Sequence, residues 1–147
     1  MKCPACSHEL MQFVIGGVTV DACEGGCAGI WFDGYELQRV DDQHEIAGDT
    51  VLCLQRDPKI VVDHQRKREC PRCHGIKLRR HYYSAAKLVE VDQCPNCGGY
   101  WLDQGELEKI RAEKAQSTRT SAAKPVGLSM ETIRFLYQQK MNQSPRT

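Results

Sequence analysis

Short runs of alternating apolar and polar residues, interrupted by glycines and cysteine pairs, dominate this chain. Phe13-Val14-Ile15 and Val18-Thr19-Val20 flank Gly16-Gly17, a two-residue turn signal between β-prone runs. A hairpin over that turn sets Ile15 opposite Val18 and Phe13 opposite Val20. Those four then share one face, and Val14, Thr19 and Asp21 share the other. Later in the chain, Val89 and Val91 take the places of Val18 and Val20 in a longer hairpin that turns near Ser84-Ala85-Ala86.

Each hairpin is followed by a tryptophan and a helix start. Asp33 with Glu36, and Asp103 with Glu106, place an acceptor three residues before a glutamate, as in a capping box with Asp in the Ser/Thr role. The spacing predicts a second helix over about residues 104–116, with Leu107, Ile110 and Lys114 along its inward stripe. Between the two halves, residues 50–54 and 59–63 read as short strands split by Asp57-Pro58. Residues 117–128 read as a flexible linker ending near Pro125-Val-Gly127. Ser129 then opens a helix over 129–141, whose stripe is Met130, Ile133, Leu136, Tyr137 and Met141. A helix of ~13 residues is marginal alone, so that stripe is a candidate docking face for a partner.

The cysteines turn this pattern into a repeat. Cys3-Pro-Ala-Cys6 is followed by Cys23-Glu-Gly-Gly-Cys27 and then Trp31, Asp33 and Glu36. Cys70-Pro-Arg-Cys73 is followed by Cys94-Pro-Asn-Cys97 and then Trp101, Asp103 and Glu106. The second frame fits the four-cysteine zinc template, and the first differs by one extra residue in its second knuckle. Four thiolates suit tetrahedral Zn²⁺ at ~2.3 Å per bond, and four protein ligands close the site. Two Zn²⁺ are expected: one on Cys3, Cys6, Cys23 and Cys27, the other on Cys70, Cys73, Cys94 and Cys97. Iron is the rival metal, as in rubredoxin, but rubredoxin-type knuckles are set in acidic, aromatic-rich sequence. This chain has 7% aromatic residues.

Length and composition agree with two metal-stapled units. The chain has 147 residues, 41% of them hydrophobic, and units of ~40–45 residues seldom fold on apolar burial alone. The boundaries read as ribbon one at 1–43, a connector at 44–69, ribbon two at 70–116, and the tail beyond. Met1-Lys2 leads straight into the first cysteine pair, and no long apolar run occurs, so a cytoplasmic, reducing compartment and no membrane are expected. Cys53, outside both frames, reads as a buried small hydrophobe. Trp31 and Trp101 read as core residues that shield the metal, and Asp21 and Asp92 as hydrogen-bond acceptors behind the knuckles.

The string from Val91 to Leu107 resembles the TFIIB-type zinc-finger family of small, mostly bacterial zinc ribbons, with Cys70 and Cys73 as its opening knuckle. Ribbon one is similar to a second, more diverged copy. The resemblance implies a small metal-stabilised α+β fold: two tandem zinc ribbons, each a β-hairpin with two cysteine knuckles and a short following helix; the tail lies outside the resemblance and adds the C-terminal helix read above. It implies the same eight ligands and fixes no activity.

Three roles follow. The first is a non-catalytic protein-interaction module, whose partner meets the C-terminal helix or the ribbon surfaces. The second is a nucleic-acid-binding or transcription-associated role, through Arg79, Arg80, Tyr82 and Tyr83, where cations stand beside stackable rings. The formal charge of +1 falls to about −3 once eight thiolates hold two Zn²⁺. A mildly anionic body is a poor generic nucleic-acid binder. The third is a redox-responsive zinc switch. Enzyme action is not expected: all four places on each metal are filled, no small-molecule site is indicated, and no nucleophile–base pair stands out. The first role is the one the sequence favours.

Overall fold

The computed structural model describes residues 1–15, 17–41 and 53–122. Residues Met1–Gln116 form one compact unit and Ser117–Thr147 a second. The expected helix at 129–141, with Met130, Ile133, Leu136, Tyr137 and Met141, lies outside the described residues, as do residues 123–128 of the expected linker, whereas residues 117–122 of that linker are helical.

The first hairpin is β1 (Met11–Ile15) and β2 (Val18–Ala22), paired with Phe13 opposite Val20 and Ile15 opposite Val18, as the alternation predicts. Gly17 closes the turn with a φ of +77°, a conformation glycine adopts without steric cost. After the second knuckle the chain returns as β3 (Ile30–Phe32) beside β2. Ribbon two repeats this with β4 (Arg79–Tyr82), β5 (Glu90–Gln93) and β6 (Tyr100–Leu102). Its hairpin turns at Ser84, whose carbonyl accepts from Lys87 N–H at 3.2 Å and whose hydroxyl accepts from Ala86 N–H at 3.1 Å.

The two ribbons share a single sheet. β3 and β6 pair antiparallel, giving a six-stranded order β1-β2-β3-β6-β5-β4. The register sets Ile30 opposite Leu102, Trp31 opposite Trp101 and Phe32 opposite Tyr100. The equivalent tryptophans therefore face each other on a local two-fold and the flanking positions pair reciprocally across it, the self-complementary geometry of an isologous dimer.

Side-chain alternation divides the core between the two faces of this sheet. One face carries Val18, Val20, Ala22, Ile30, Phe32, Val89, Val91 and Leu102, covered by Leu37, Val40, Leu107 and Ile110. The other carries the cysteines, Trp31, Trp101 and Leu78.

The helices differ from the sequence expectation. After ribbon one there is only a 3₁₀ turn, Leu37–Arg39. Leu37 and Val40 are both buried, and a single tight turn is enough to seat this pair. After ribbon two, α1 runs Glu106–Ala122, well past the expected end at 116. No glycine or proline interrupts the chain until Pro125, so its exposed last turns stay helical. Residues 59–63, expected as a strand, are irregular. Asp57 there accepts from the N–H of Lys59 through its side chain and from the N–H of Ile60 through its carbonyl, which bends the chain into a turn.

Candidate metal centres

Each opening knuckle curls so that backbone N–H groups point at its first sulfur. Cys3 Sγ accepts from Ala5 and Cys6 N–H, each at 3.4 Å, and Cys70 Sγ from Cys73 N–H at 3.2 Å. Cys23 Sγ likewise accepts from Cys27 N–H at 3.4 Å. These bonds offset part of the negative charge that four thiolates bring to a divalent ion.

The sheet then brings the knuckles together. Cys3, Cys6, Cys23 and Cys27 form one group and Cys70, Cys73, Cys94 and Cys97 another, the sulfurs of each lying within 4.8 Å of one another. Individual separations are 3.5 Å for Cys3–Cys27, 3.4 Å for Cys6–Cys23 and 3.8 Å for Cys70–Cys97. A tetrahedron with ~2.3 Å bonds has edges of about 3.8 Å, so each group fits a zinc ion with every position taken by protein. Burial pushes the Cys23 and Cys70 thiols up to about 12. A bound dication is what allows four deprotonated sulfurs to meet at such a point. Site one is more enclosed: three of its sulfurs are on buried residues, whereas in site two Cys97 is exposed.

The extra residue in Cys23-Glu-Gly-Gly-Cys27 is absorbed by glycine. A Cβ on Gly26 would stand 2.3 Å from Cys23 Sγ, so only glycine passes there. The connector braces this longer loop. Gly25 N–H donates to Gln55 carbonyl and Asp57 N–H to Gly26 carbonyl, both at 2.9 Å, and Gln55 N–H donates to the Glu24 carboxylate.

Behind each site stands a pair of aspartates. Asp21 and Asp92 are buried, as is Asp103. Arg72 binds Asp21 at 3.1 Å and also pairs with Asp33, so a knuckle residue of ribbon two neutralises the acids of ribbon one. The reverse contact would need a cation at Ala5, which matches Arg72 in the repeat. Instead Arg68, from the end of the connector, reaches Asp92 at 3.2 Å and Asp103 at 2.8 Å, with its side chain 1% exposed. Arg80 adds a two-point contact to Asp92, and His64 lies 3.1 Å from Asp103.

The second carboxylate of each pair has a further task. Trp31 Nε1–H donates to Asp33 at 2.8 Å, and Trp101 Nε1–H to Asp103 at 3.1 Å. Glu36 and Glu106 accept from the Asp33 and Asp103 N–H at 2.9 and 2.8 Å. The capping box is thus half formed: the glutamate reaches back as expected, while the aspartate side chain turns to the indole and to arginine. Burial pushes Glu106 up to about 7, with Asp103 and Asp92 adding to it.

The other sequence candidates separate. Arg79 and Tyr82 are exposed on the edge strand β4. Arg80 is held by Asp92 and by the His64 carbonyl. Tyr83 is half-buried and donates its hydroxyl to Asp41 at 2.5 Å, and burial raises its pKa. Of Arg79, Arg80, Tyr82 and Tyr83, Arg80 and Tyr83 are therefore engaged within the fold. Trp31 and Trp101 are fully buried, consistent with a core role. Cys53 is exposed, against the expectation of burial. His8 and His74 are exposed and belong to neither sulfur group.

Sequence reasoning missed Arg68, Arg72 and the glycines before β3 and β6. A Cβ on Gly29 would meet the Trp101 ring at 2.2 Å, and one on Gly99 would meet the Trp31 ring at 2.2 Å. The repeated Gly-x-Trp was the available signal, but nothing in it says that each glycine serves the other copy's tryptophan.

The sequence model of a family described as transcription factor zinc-finger matches this chain at residues 2–42 and 69–113, one segment for each ribbon. No curated protein and no solved structure matched the chain. Among the described residues, no helix is long and apolar enough to cross a membrane.

Proposed function

The chain belongs to the transcription factor zinc-finger family, and from that premise we propose that it is a non-catalytic interaction module that presents a rigid, zinc-stapled sheet to a protein partner. One observation carries the reading: each centre has four cysteine sulfurs within 4.8 Å of one another, leaving no open position for substrate or water. Catalytic zinc keeps such a position. The metals are then read as the reason two very small units hold a defined surface. Its exposed apolar positions include Met11 and Val14, 52% and 71% exposed on opposite faces of β1, and two edge strands close the sheet.

The test compares full-length protein with residues 1–116 in affinity capture, with zinc counted by native mass in both. The reading expects the same two zinc ions in each and a partner lost with the tail or with substitutions on β1. A chain that turns over a substrate only when zinc-loaded, or captures nothing in either form, overturns it. Nucleic acid through the β4 hairpin is the weaker reading, since Arg80 and Tyr83 are already engaged within the fold.

A further inference from the structure

A cleft of about 490 Å³ lies between the two opening knuckles. It is built twice over: Lys2, Cys3, Pro4 and Ser7 of ribbon one face Glu69, Cys70, Pro71 and His74 of ribbon two. Its size is that of a small-ligand pocket. Its lining carries Lys2, Arg66, Lys67 and Lys77 against the Glu69 carboxylate and the metal-ligand sulfurs of Cys3 and Cys70.

Those cations are unequally engaged. Lys77 pairs with Glu69, and Lys2 lies 3.4 Å from Glu9. Both contacts are between exposed side chains and hold them weakly. The Arg68 guanidinium turns to Asp92 and Asp103. Arg66 and Lys67 are exposed, and among the described residues neither has a hydrogen bond or ion pair of contact length. Two adjacent exposed cations thus line a concave site on a body that is anionic when metal-filled. Cations clustered in a concave site gather counter-ions.

We propose that this cleft binds a phosphate-bearing anion, either a free polyphosphate group or the backbone of a single-stranded nucleic acid. Several cations converging on one volume suit a multiply charged ligand better than a single carboxylate. Arginine adds a planar fork that matches phosphate oxygens. No Phe, Tyr or Trp lines the cleft, and His74 is its one ring, so it offers no run of stacking platforms and recognition is of charge rather than sequence. This site is separate from the β4 residues and independent of the protein-partner reading. A protein partner can be retained while the cleft fails, and the reverse.

The test uses full-length, zinc-loaded protein, titrated at low salt with tripolyphosphate and with a fluorescent oligothymidylate. Binding of either supports the proposal. Competition between the two assigns one shared site, the oligonucleotide alone assigns the backbone, and tripolyphosphate alone assigns a free anion. Binding should weaken with salt. The double variant Arg66→Glu with Lys67→Glu should weaken it at least about tenfold and lower the log–log salt slope by about two, with both zinc ions retained. Should that variant lose zinc, the neutral pair Arg66→Gln with Lys67→Gln is read instead. No binding of either probe overturns the proposal, as does binding unchanged in a zinc-retaining variant. An oligoglutamate that binds as tightly as tripolyphosphate overturns the assignment to phosphate. Zinc loss without any wild-type binding would mean that the cations serve the metal centres alone.

Discussion

Trp31 and Trp101 stand opposite each other where β3 pairs with β6, and each indole lies over the glycine that leads into the other strand. The contact is reciprocal: Trp101 covers Gly29 and Trp31 covers Gly99, with no room for a Cβ at either glycine. This exchange joins the ribbons on the metal side of the sheet.

Gly29→Ala and Gly99→Ala should each destabilise the protein by about 1–3 kcal/mol through overpacking. The measurement is thermal or urea unfolding of the zinc-loaded protein. Trp101→Phe removes the ring atoms that a Cβ on Gly29 would strike. Its combination with Gly29→Ala should therefore cost less than the sum of the two single changes. Strict additivity would mean that the indole does not limit position 29.

The two aspartate pairs should respond unequally to loss of their arginine. Arg68→Met leaves Asp92 and Asp103 buried with only Arg80 and His64 as ion-pair partners and should cost about 3–5 kcal/mol. Arg72 is 41% and Asp33 38% exposed at the side chain, so water screens that contact, and only Asp21 is left buried without its cation. Arg72→Met should cost less, about 1–3 kcal/mol. Equal losses in paired melting curves would refute the distinction.

Zinc should leave in two steps. Site one has three buried ligand residues, while site two exposes Cys97, where a chelator can enter. Stopped-flow release into a metallochromic chelator should resolve one fast and one slow equivalent. Cys97→Ser should speed or abolish the fast one alone. A single phase for both ions would contradict this.

Glu106 makes stability depend on pH in a predictable direction. Its folded pKa is raised from 4.5 to about 7, so the folded state holds a proton that the unfolded chain has released. Stability from this group is therefore fully present below about 4.5 and is lost as pH rises to about 7. Glu106→Gln keeps an oxygen for the Asp103 N–H and removes the charge. Compared between pH 5.5 and 8, where zinc stays bound, the variant should gain on wild type by about 1–3 kcal/mol as pH rises. A constant difference across that range would exclude the mechanism.

What could be read beforehand was local. The β1–β2 register followed from Phe13, Ile15, Val18 and Val20, because period-two alternation and a tight glycine turn fix it within a few residues. The sulfur groups followed from cysteine spacing and the repeat. The union of the two ribbons was not legible, since β3 and β6 are three residues each and carry no alternation long enough to announce a partner. Arg68 and Arg72 were equally opaque. Their aspartates stand 24 residues or more away in sequence, and one arginine fills a place that the repeat itself leaves to Ala5. Helix lengths failed for a simpler reason: burial of Leu37 and Val40 needs one turn, while the polar end of α1 needs only the lack of a breaker.

The pairing of β3 with β6 also bears on dilution. Two separate ribbons meeting through three-residue strands would fall apart as their concentration dropped, because a contact so short competes poorly with lost translational freedom. Within one chain the same strands meet at a concentration set by the connector and not by the cell. The surface that spans both ribbons, including the cleft between their knuckles, is then present in every copy of the protein, however scarce that protein is.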